Sequence, residues 1–222
     1  MARPRSPLLS REKIVEAALA LIDEEGLGAL STRKLAARLG VSGPSLYNHF
    51  ATMDDLLDAV ADHVIAKVDL SPLRTRPWPE ALPEWARSYR EVLAEHPNLV
   101  PAVVHGPGRR PAALRLADEV YGALVDAGWP PREATEIGAL MRFLVAGAAM
   151  SSFAGGFSPD PATYGTDYPH LSRAHLLQAR SRDIDKGAFE LGLETVLAGL
   201  LARRPPGSGD QAAAGSGDAQ GM

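Results

Sequence analysis

A short polar stretch, residues 42–49, carries side chains of the kinds that contact DNA. It reads SGPSLYNH, so hydroxyl, amide and imidazole groups accompany a single leucine. Such groups reach phosphate oxygens and base edges when a helix lies in the major groove. An arginine earlier in the chain, Arg33, has the length and the planar donors to reach a guanine edge. The candidate DNA-contacting residues are Arg33, Ser42, Gly43, Pro44, Ser45, Tyr47, Asn48 and His49.

The residues around this stretch predict two short helices joined by a tight turn. Gly40 begins the turn, and a glycine there adopts the left-handed conformation that lets the chain reverse within three residues. The polar set then lies on the outer face of the second helix. The residues predicted on the inner faces are Leu35, Ala36, Leu39, Val41, Leu46 and Phe50. A plain helical hairpin with a solvated polar surface is the alternative; the number of positions that fit together favours a helix-turn-helix.

Helical patterns continue on both sides of the hairpin. Apolar residues from Ile14 to Ile22 follow the i, i+3, i+4, i+7 spacing of one buried face. A further helix is predicted from residue 53 to about residue 68, with Thr52 and Asp55 as a capping box. The other predicted N-caps are Ser10, Ser31 and Ser42, and the predicted helix ends are Gly26 and Gly40.

The rest of the chain also reads as helical, with almost no strand signal. We therefore predict an all-α protein, with an N-terminal three-helix helix-turn-helix domain and a C-terminal helical ligand-binding and dimerisation domain. A proline-rich joint at 70–79 separates them, and residues 155–173 are predicted to form a long loop. The predicted domains are residues 8–52 (DNA-binding), 53–68 (connecting helix), 77–204 (C-terminal) and 205–222 (disordered tail). The further predicted helices are 79–96, 98–105, 111–127, 131–154 and 184–203.

Composition narrows the class of protein. The 222 residues include no cysteine, which excludes disulfides and thiolate metal sites. No run of eighteen apolar residues occurs, and the basic N-terminus lacks a secretory apolar segment. We therefore expect a cytoplasmic protein without a membrane span. The net charge is −4, yet residues 1–50 hold seven basic against five acidic residues, a net charge of +2, which has the sign expected of a DNA-binding head.

The stretch 13–57 resembles the DNA-binding domain of the tetracycline-repressor (TetR) family. The resemblance rests on a spaced pattern that is much more specific than a helix-turn-helix alone. The matching residues are Thr32, Leu35, Ala36, Gly40, Val41, Ser42, Leu46, Tyr47, His49 and Phe50. The resemblance implies that the DNA face is lined by Arg33, Gly43, Pro44, Ser45, Tyr47 and His49. One position departs from the family, which often has a lysine where this chain has Met53; the amides at the start of that helix then remain for a phosphate.

The predicted helices 131–154 and 184–203 carry more apolar surface than one small domain needs. The last helix also contains Gly187, Gly192 and Gly199, which cost helix stability and suit a close helix–helix approach. An internal core is the alternative interpretation. The resemblance implies instead a homodimer in which both helices form a four-helix bundle. The predicted interface residues are Leu140, Leu144, Ala148, Phe189, Leu193, Val196, Leu197 and Leu200.

A ligand pocket is indicated by aromatic and basic residues in the C-terminal part. Trp85 and Tyr89 are four residues apart and share a helix face, which is typical of a cavity lining and equally of core packing. His105 precedes a glycine-rich turn. This part of the chain resembles the tetracycline-responsive members of the family, in which a histidine before such a turn helps to hold a metal-chelated drug. Other positions of that site do not match, including Val68 for a histidine and residues 150–151 for an acid. We therefore expect a larger, mostly apolar or aromatic effector. A structural role for His105 is favoured over the alternative that it holds a metal-chelated ligand. The candidate ligand-binding residues are Trp85, Tyr89, His105, Arg109 and Met141.

These features predict a repressor that a small, mostly apolar molecule releases from a palindromic operator. The expected partners are double-stranded DNA, the effector and a second copy of the chain. We expect no enzymatic activity, cofactor or metal site, because no Walker loop, nucleophile elbow, dinucleotide fingerprint or metal-ligand histidine spacing occurs. The alternatives are an architectural DNA binder without an effector, and a helical enzyme with a vestigial DNA-binding head.

Overall fold

The computed structural model describes residues 9–104, 109–150 and 152–203, and these residues are helical without a strand. The all-α prediction is therefore confirmed. Two predictions, those for His105 and for the tail 205–222, fall outside the described residues. The α-helices are α1 (Arg11–Glu25), α2 (Thr32–Leu39), α3 (Gly43–Tyr47), α4 (Met53–Ile65), α5 (Ser71–Thr75), α6 (Trp78–Glu95), α7 (Val100–Val103), α8 (Pro111–Asp126), α9 (Pro131–Met150) and α10 (Ser181–Ala202).

Local capping begins and ends the first helices where the sequence predicts it. The hydroxyls of Ser10 and Ser31 accept hydrogen bonds from the third backbone amides of α1 and α2. Thr52 and Asp55 form a complete capping box at the start of α4. Gly40 ends α2 with a φ of 67°, a left-handed conformation that residues with a side chain rarely adopt.

A shared apolar core holds α1 to α4 together. Leu35 of α2, Leu46 of α3 and Phe50 beyond it are buried, as predicted, whereas Leu39 and Val41 are half-buried. α3 has five residues, too few for a helix that is stable alone, so packing of Leu46 and Phe50 must hold it. The residues of α1 and α4 with no exposed surface are Ile14, Ala18, Ile22, Val60, Ala61 and Val64.

The chain forms two compact units that interleave along the sequence. The first, called the head unit here, comprises Met1–Asp69, Arg87–Leu116 and Ala146–Ser151. The second unit comprises Leu70–Ala86, Ala117–Val145 and Ser152–Met222. The predicted boundary near residue 77 therefore does not separate them cleanly, because later segments of the chain cluster with the N-terminal helices.

The segment 96–112 is attached to the N-terminal helices at both ends. At one end, the Asn98 amide donates to the backbone carbonyls of Ile22 and Asp23, each at 3.1 Å, which gives partners to carbonyls at the end of α1. His96 Nδ1 lies 2.9 Å from Asp23 Oδ2. These bonds explain why residues far along the chain belong to the head unit.

The other end of this segment is bound to α4. Arg110 Nε donates to Asp58 at 2.8 Å, and the backbone amide of Ala112 donates to Asp62 Oδ1 at 2.7 Å. Asp62 thereby caps the first turn of α8, where backbone amides have no partner within the helix. One face of α4 is thus fixed to the start of α8.

The second unit contains a close approach between α9 and α10. A Cβ added at Gly192 would lie 3.0 Å from Leu144 Cδ1, so a larger residue there would require the Leu144 side chain to shift. Gly187 and Gly199 face open space in the single chain. Trp78 and Trp129 pack edge to face with ring centroids 5.6 Å apart, which fixes the start of α6.

Several segments differ from the predicted elements. The proline-rich joint contains a short helix, α5, whose proline lies in the first turn, where its missing amide costs nothing. The predicted helix 98–105 is a 3₁₀ turn at Pro97–Leu99 followed by the single turn α7. The predicted loop 155–173 contains 3₁₀ turns at Pro161–Thr163 and Pro169–Leu171, and α10 begins at Ser181.

One apolar helix stands out among the described residues. By length and composition alone, Pro131–Gly156, which contains α9, is apolar enough to cross a membrane. This is weak grounds for a membrane span, since the core helix of a soluble protein has the same properties. Only 24% of the apolar 18-residue stretch within this segment is buried in the single chain. α9 therefore leaves an apolar face to be covered.

Candidate nucleic-acid interface

The predicted recognition surface lies on α3 and the residues that flank it. Leu46 anchors α3 in the core, so the polar residues of the helix face outward. Ser42, Pro44, Tyr47 and Asn48 are exposed, and Gly43, Ser45 and His49 are half-buried. Ser42 differs in its local role from the prediction: its hydroxyl caps no backbone amide of α3 and instead lies 2.8 Å from Ser45 Oγ.

Tyr47 is held by a hydroxyl of α2. The Tyr47 side chain is 51% exposed, and its phenolic oxygen lies 3.0 Å from Thr32 Oγ1. A Cβ added at Gly43 would lie 3.2 Å from Thr32 Cγ2, so the start of α3 approaches the same threonine closely. Thr32 therefore contacts α3 near both ends, which the sequence pattern did not indicate.

The three cations of α2 differ in how free they are. Lys34 pairs with Glu25, and Arg38 makes two hydrogen bonds to Glu24, at 2.6 and 2.7 Å. The Arg38 hydrogen bond lowers the pKa of the Glu24 carboxyl, and the same bond raises the pKa of Arg38. Arg33 is exposed and makes no ion pair or side-chain hydrogen bond with any residue that the structure describes. Among the described residues, it is the cation of α2 that has no such partner.

The end of α3 is tied to the first turn of α1. Arg11 Nη1 donates to the His49 carbonyl oxygen at 2.7 Å. The same guanidinium lies 4.0 Å from the centroid of the Phe50 ring. Sequence reasoning missed Arg11, because its partners lie almost forty residues away and no local pattern marks the contact.

The start of α4 is poorly suited to bind a phosphate. Its first turn carries two carboxylates, Asp54 and Asp55, beside the half-buried Met53. The Asp55 amide is already used by Thr52 in the capping box. Because carboxylates repel a phosphate, the amides of α4 make a weaker anion site than expected from the helix terminus alone.

The predicted effector-binding residues are distributed over both units. Trp85 and Met141 belong to the second unit, and Tyr89 and Arg109 to the head unit. Trp85, Tyr89 and Met141 are buried and Arg109 is exposed. Burial of this kind fits both a cavity lining and a core, so these assignments stay predictions.

The head unit also has a cleft of about 660 Å³ beside α1 and α4. Its charged lining mixes signs, and of the predicted site residues it includes His49 and Arg109. Asp58 and Asp62, which also line it, already have the partners described above. Within the described residues, no group of three or more His, Cys, Asp or Glu side chains could hold a metal ion.

The predicted dimer-interface residues fall into two groups. Phe189, Leu193 and Leu200 are buried within the single chain, so they serve its own core. Leu140 is exposed and the other four are half-buried. The structure adds exposed apolar residues that the sequence pattern missed, above all Phe143 of α9 at 72% and Leu191 of α10 at 66% exposure.

Comparisons with known proteins cover both parts of the chain. Residues 14–60 match the family model of bacterial regulatory proteins of the tetR family, and residues 71–204 match that of the tetracyclin repressor-like C-terminal domain. An HTH-type transcriptional regulator of Saccharopolyspora erythraea is 32% identical over 213 residues, covering 88% of this chain and 86% of the relative. The class A tetracycline repressor from transposon 1721 of Escherichia coli is 33% identical over 204 residues, covering 88% and 92%.

Solved structures agree with these matches. A possible TetR family transcriptional regulator from Streptomyces coelicolor superposes with a TM-score of 0.73 at 31% identity, covering 88% of this chain and all of the other. The TetR family protein ActR of the same species, in complex with (S)-DNPA, gives a TM-score of 0.68 at 31% identity, covering 90% and 100%. The chain therefore belongs to the TetR family of DNA-binding transcriptional regulators.

Proposed function

We propose that this regulator is a repressor that binds a palindromic operator as a homodimer and is released by a small, mostly apolar or aromatic molecule. The observation that carries its DNA-binding half is the recognition surface built by α2 and α3. Two of the three α2 cations are paired with glutamates of α1, whereas Arg33 is exposed and follows Thr32, whose hydroxyl contacts the exposed Tyr47. Arg33 then reads a guanine edge, and Tyr47 donates to a phosphate.

Dimerisation is supported by the exposed apolar faces of α9 and α10. Phe143 and Leu191 would each cost free energy if left in water, at about 25 cal/mol per Å² of apolar surface. Gly187 and Gly199 have open space beside them in the single chain, which leaves room for a helix of a second copy. A two-fold axis presents two copies of α3 to DNA, and two copies read an inverted repeat.

The proposed response to the effector acts through α4. This helix follows the recognition helix directly and is bound to the start of α8 through Asp58 and Asp62. A ligand that favours a position of α4 less compatible with DNA binding lowers the affinity for DNA. DNA then lowers the affinity for that ligand by the same factor. Trp85, Tyr89, His105, Arg109 and Met141 remain the candidate effector-binding residues on the sequence argument.

The chemistry of the effector is proposed from two observations. Solved relatives include ActR in complex with actinorhodin and an Acinetobacter baumannii TetR variant in complex with minocycline. This chain has Val68 where the tetracycline-responsive pattern has a histidine. The first observation supports a small-molecule effector, and the second favours a mostly apolar or aromatic molecule bound without a metal ion; tetracycline with Mg²⁺ is the matched negative control.

The test uses fluorescence anisotropy with labelled duplexes that tile the DNA flanking the coding region of this protein. We expect one segment with an inverted repeat to bind with a Kd of about 10⁻⁸ to 10⁻¹¹ M and to resist non-specific competitor DNA. The variant Arg33→Ala should lose at least tenfold in affinity for that segment, since a bidentate arginine–guanine contact is worth about 1–3 kcal/mol. Equal binding to every duplex, or full affinity of Arg33→Ala, would contradict the proposal.

A further inference from the structure

In the turn that follows the recognition helix, the backbone carbonyl of His49 accepts a hydrogen bond from Arg11 of another helix. The amides of His49 and Phe50 both donate to the Leu46 carbonyl, which completes the last turn around α3. The His49 carbonyl lies beyond that turn and accepts from Arg11 Nη1 instead. A cation at the end of a helix also offsets the negative end of the helix dipole. Arg11 of α1 thus gives a partner to a carbonyl of the turn that follows α3.

The same arginine clamps the turn that joins α3 to α4. Its guanidinium lies 4.0 Å from the centroid of the Phe50 ring, and Phe50 is almost completely buried in the core. A planar guanidinium stacks on an aromatic face and donates hydrogen bonds from its edge at the same time. One side chain therefore fixes both the backbone carbonyl of His49, the last residue of the proposed recognition surface, and the ring of Phe50, which follows it.

We propose that Arg11 is a positioning residue for the recognition helix, and that it sets DNA affinity without contacting DNA itself. Thr32 holds α3 from the α2 side, through the Tyr47 hydroxyl and the close approach of Gly43. Arg11 holds the turn after α3 from the α1 side. Because α3 has only five residues, these two attachments add to the packing of Leu46 and Phe50 in setting where Tyr47 and Asn48 lie. This inference rests on the proposed operator binding.

The salt dependence of operator binding separates positioning from direct contact. Arg11→Ala should raise the Kd for the operator about tenfold, because it removes a charge-assisted hydrogen bond and a cation–π contact from each protomer. A residue that only positions the helix leaves the slope of log Kd against log salt unchanged. If Arg11 instead bound a phosphate in each protomer, its removal would lower that slope by about two. The control is Arg132→Ala, which removes the same charge from an 89% exposed side chain of α9.

A second variant tests the geometry of the contact. Arg11→Lys keeps the charge but loses the planar fork, so we expect most of the affinity loss of Arg11→Ala to remain. Full rescue by lysine would show that charge alone matters and would overturn the positioning role. Wild-type affinity of Arg11→Ala, or a slope lowered by about two, would overturn it as well.

Hydrogen exchange without DNA keeps this test independent of the proposed function. The amides of His49 and Phe50 should exchange several-fold faster in Arg11→Ala than in the wild type or in Arg132→Ala, because the turn loses its clamp. Unchanged exchange would refute the clamp even if operator binding is found. If exchange rises but the wild type binds no operator, the proposed function fails and the effect of Arg11 on DNA affinity fails with it, whereas the clamp stands.

Discussion

Removing the phenolic hydroxyl of Tyr47 tests the DNA-facing geometry most directly. The Tyr47 side chain is half in solvent, and its hydroxyl pairs with the exposed Thr32 hydroxyl at 3.0 Å. Tyr47→Phe should therefore cost the folded protein less than about 1 kcal/mol, since an exposed hydrogen bond contributes little. If the hydroxyl donates to a phosphate in the complex, each protomer loses a hydrogen bond to a charged group, worth about 1.5 kcal/mol. Two protomers lose about 3 kcal/mol, which is about a hundredfold in Kd.

The assay is operator binding by fluorescence anisotropy, with urea unfolding of the same samples. Thr32→Val is the matched control, because it removes the partner hydroxyl at nearly constant shape and should weaken binding less than Tyr47→Phe does. Two results would refute the reasoning. Wild-type affinity of Tyr47→Phe would show that the hydroxyl does not reach DNA, and a loss of stability well above 1 kcal/mol would show that the hydroxyl pair serves the fold.

Three further predictions concern the dimer, the effector site and the charge pairs. Phe143→Glu places a charge on the exposed face of α9. It should convert the proposed dimer to a monomer in sedimentation experiments, with loss of operator binding. Val125→Glu, also at an exposed apolar position but on α8, is the control. Trp85→Ala should weaken effector binding in calorimetry and lower stability by about 3–5 kcal/mol while the folded protein still binds the operator, and the reverse pattern would show that Trp85 serves only the core. Because the hydrogen bond from Arg38 lowers the pKa of Glu24, the stability that this pair adds is present at neutral pH and is lost as pH falls through the lowered pKa. The difference in urea midpoint between wild type and Glu24→Gln should therefore shrink in acid, and a difference that grows in acid would contradict the pairing.

Features that depend on neighbours in the sequence could be predicted. Ser10, Ser31 and the capping box of Thr52 act within one helical turn, so residue type and spacing suffice to locate them. The outward face of α3 follows equally from the spacing of Leu46 and Phe50. These local rules predicted both helices and the turn at Gly40, but not that α3 has only five residues or that Ser42 leaves its amides uncapped.

Features that depend on distant residues could not be predicted. Nothing near Arg11 in the sequence indicates a contact with the His49 carbonyl, and nothing near Asp62 indicates that it caps α8. Helix α5 was missed for a different reason: prolines mark the joint as a break, whereas a proline in a first helical turn is compatible with the helix. The apolar face of Phe143 was missed because the helix is apolar around much of its circumference.

The interleaved head unit bears on the engineering of hybrid regulators. A hybrid that takes only residues 1–69 from this chain and joins them to the effector domain of a relative would replace Asn98, Arg110 and the amide of Ala112 with residues from another lineage. The end of α1 and one face of α4 would then meet surfaces that did not evolve with them. A graft that also carries residues 87–116 preserves those bonds, but it takes the proposed effector-binding residues Tyr89, His105 and Arg109 with it, so operator specificity and effector response would not be exchanged independently.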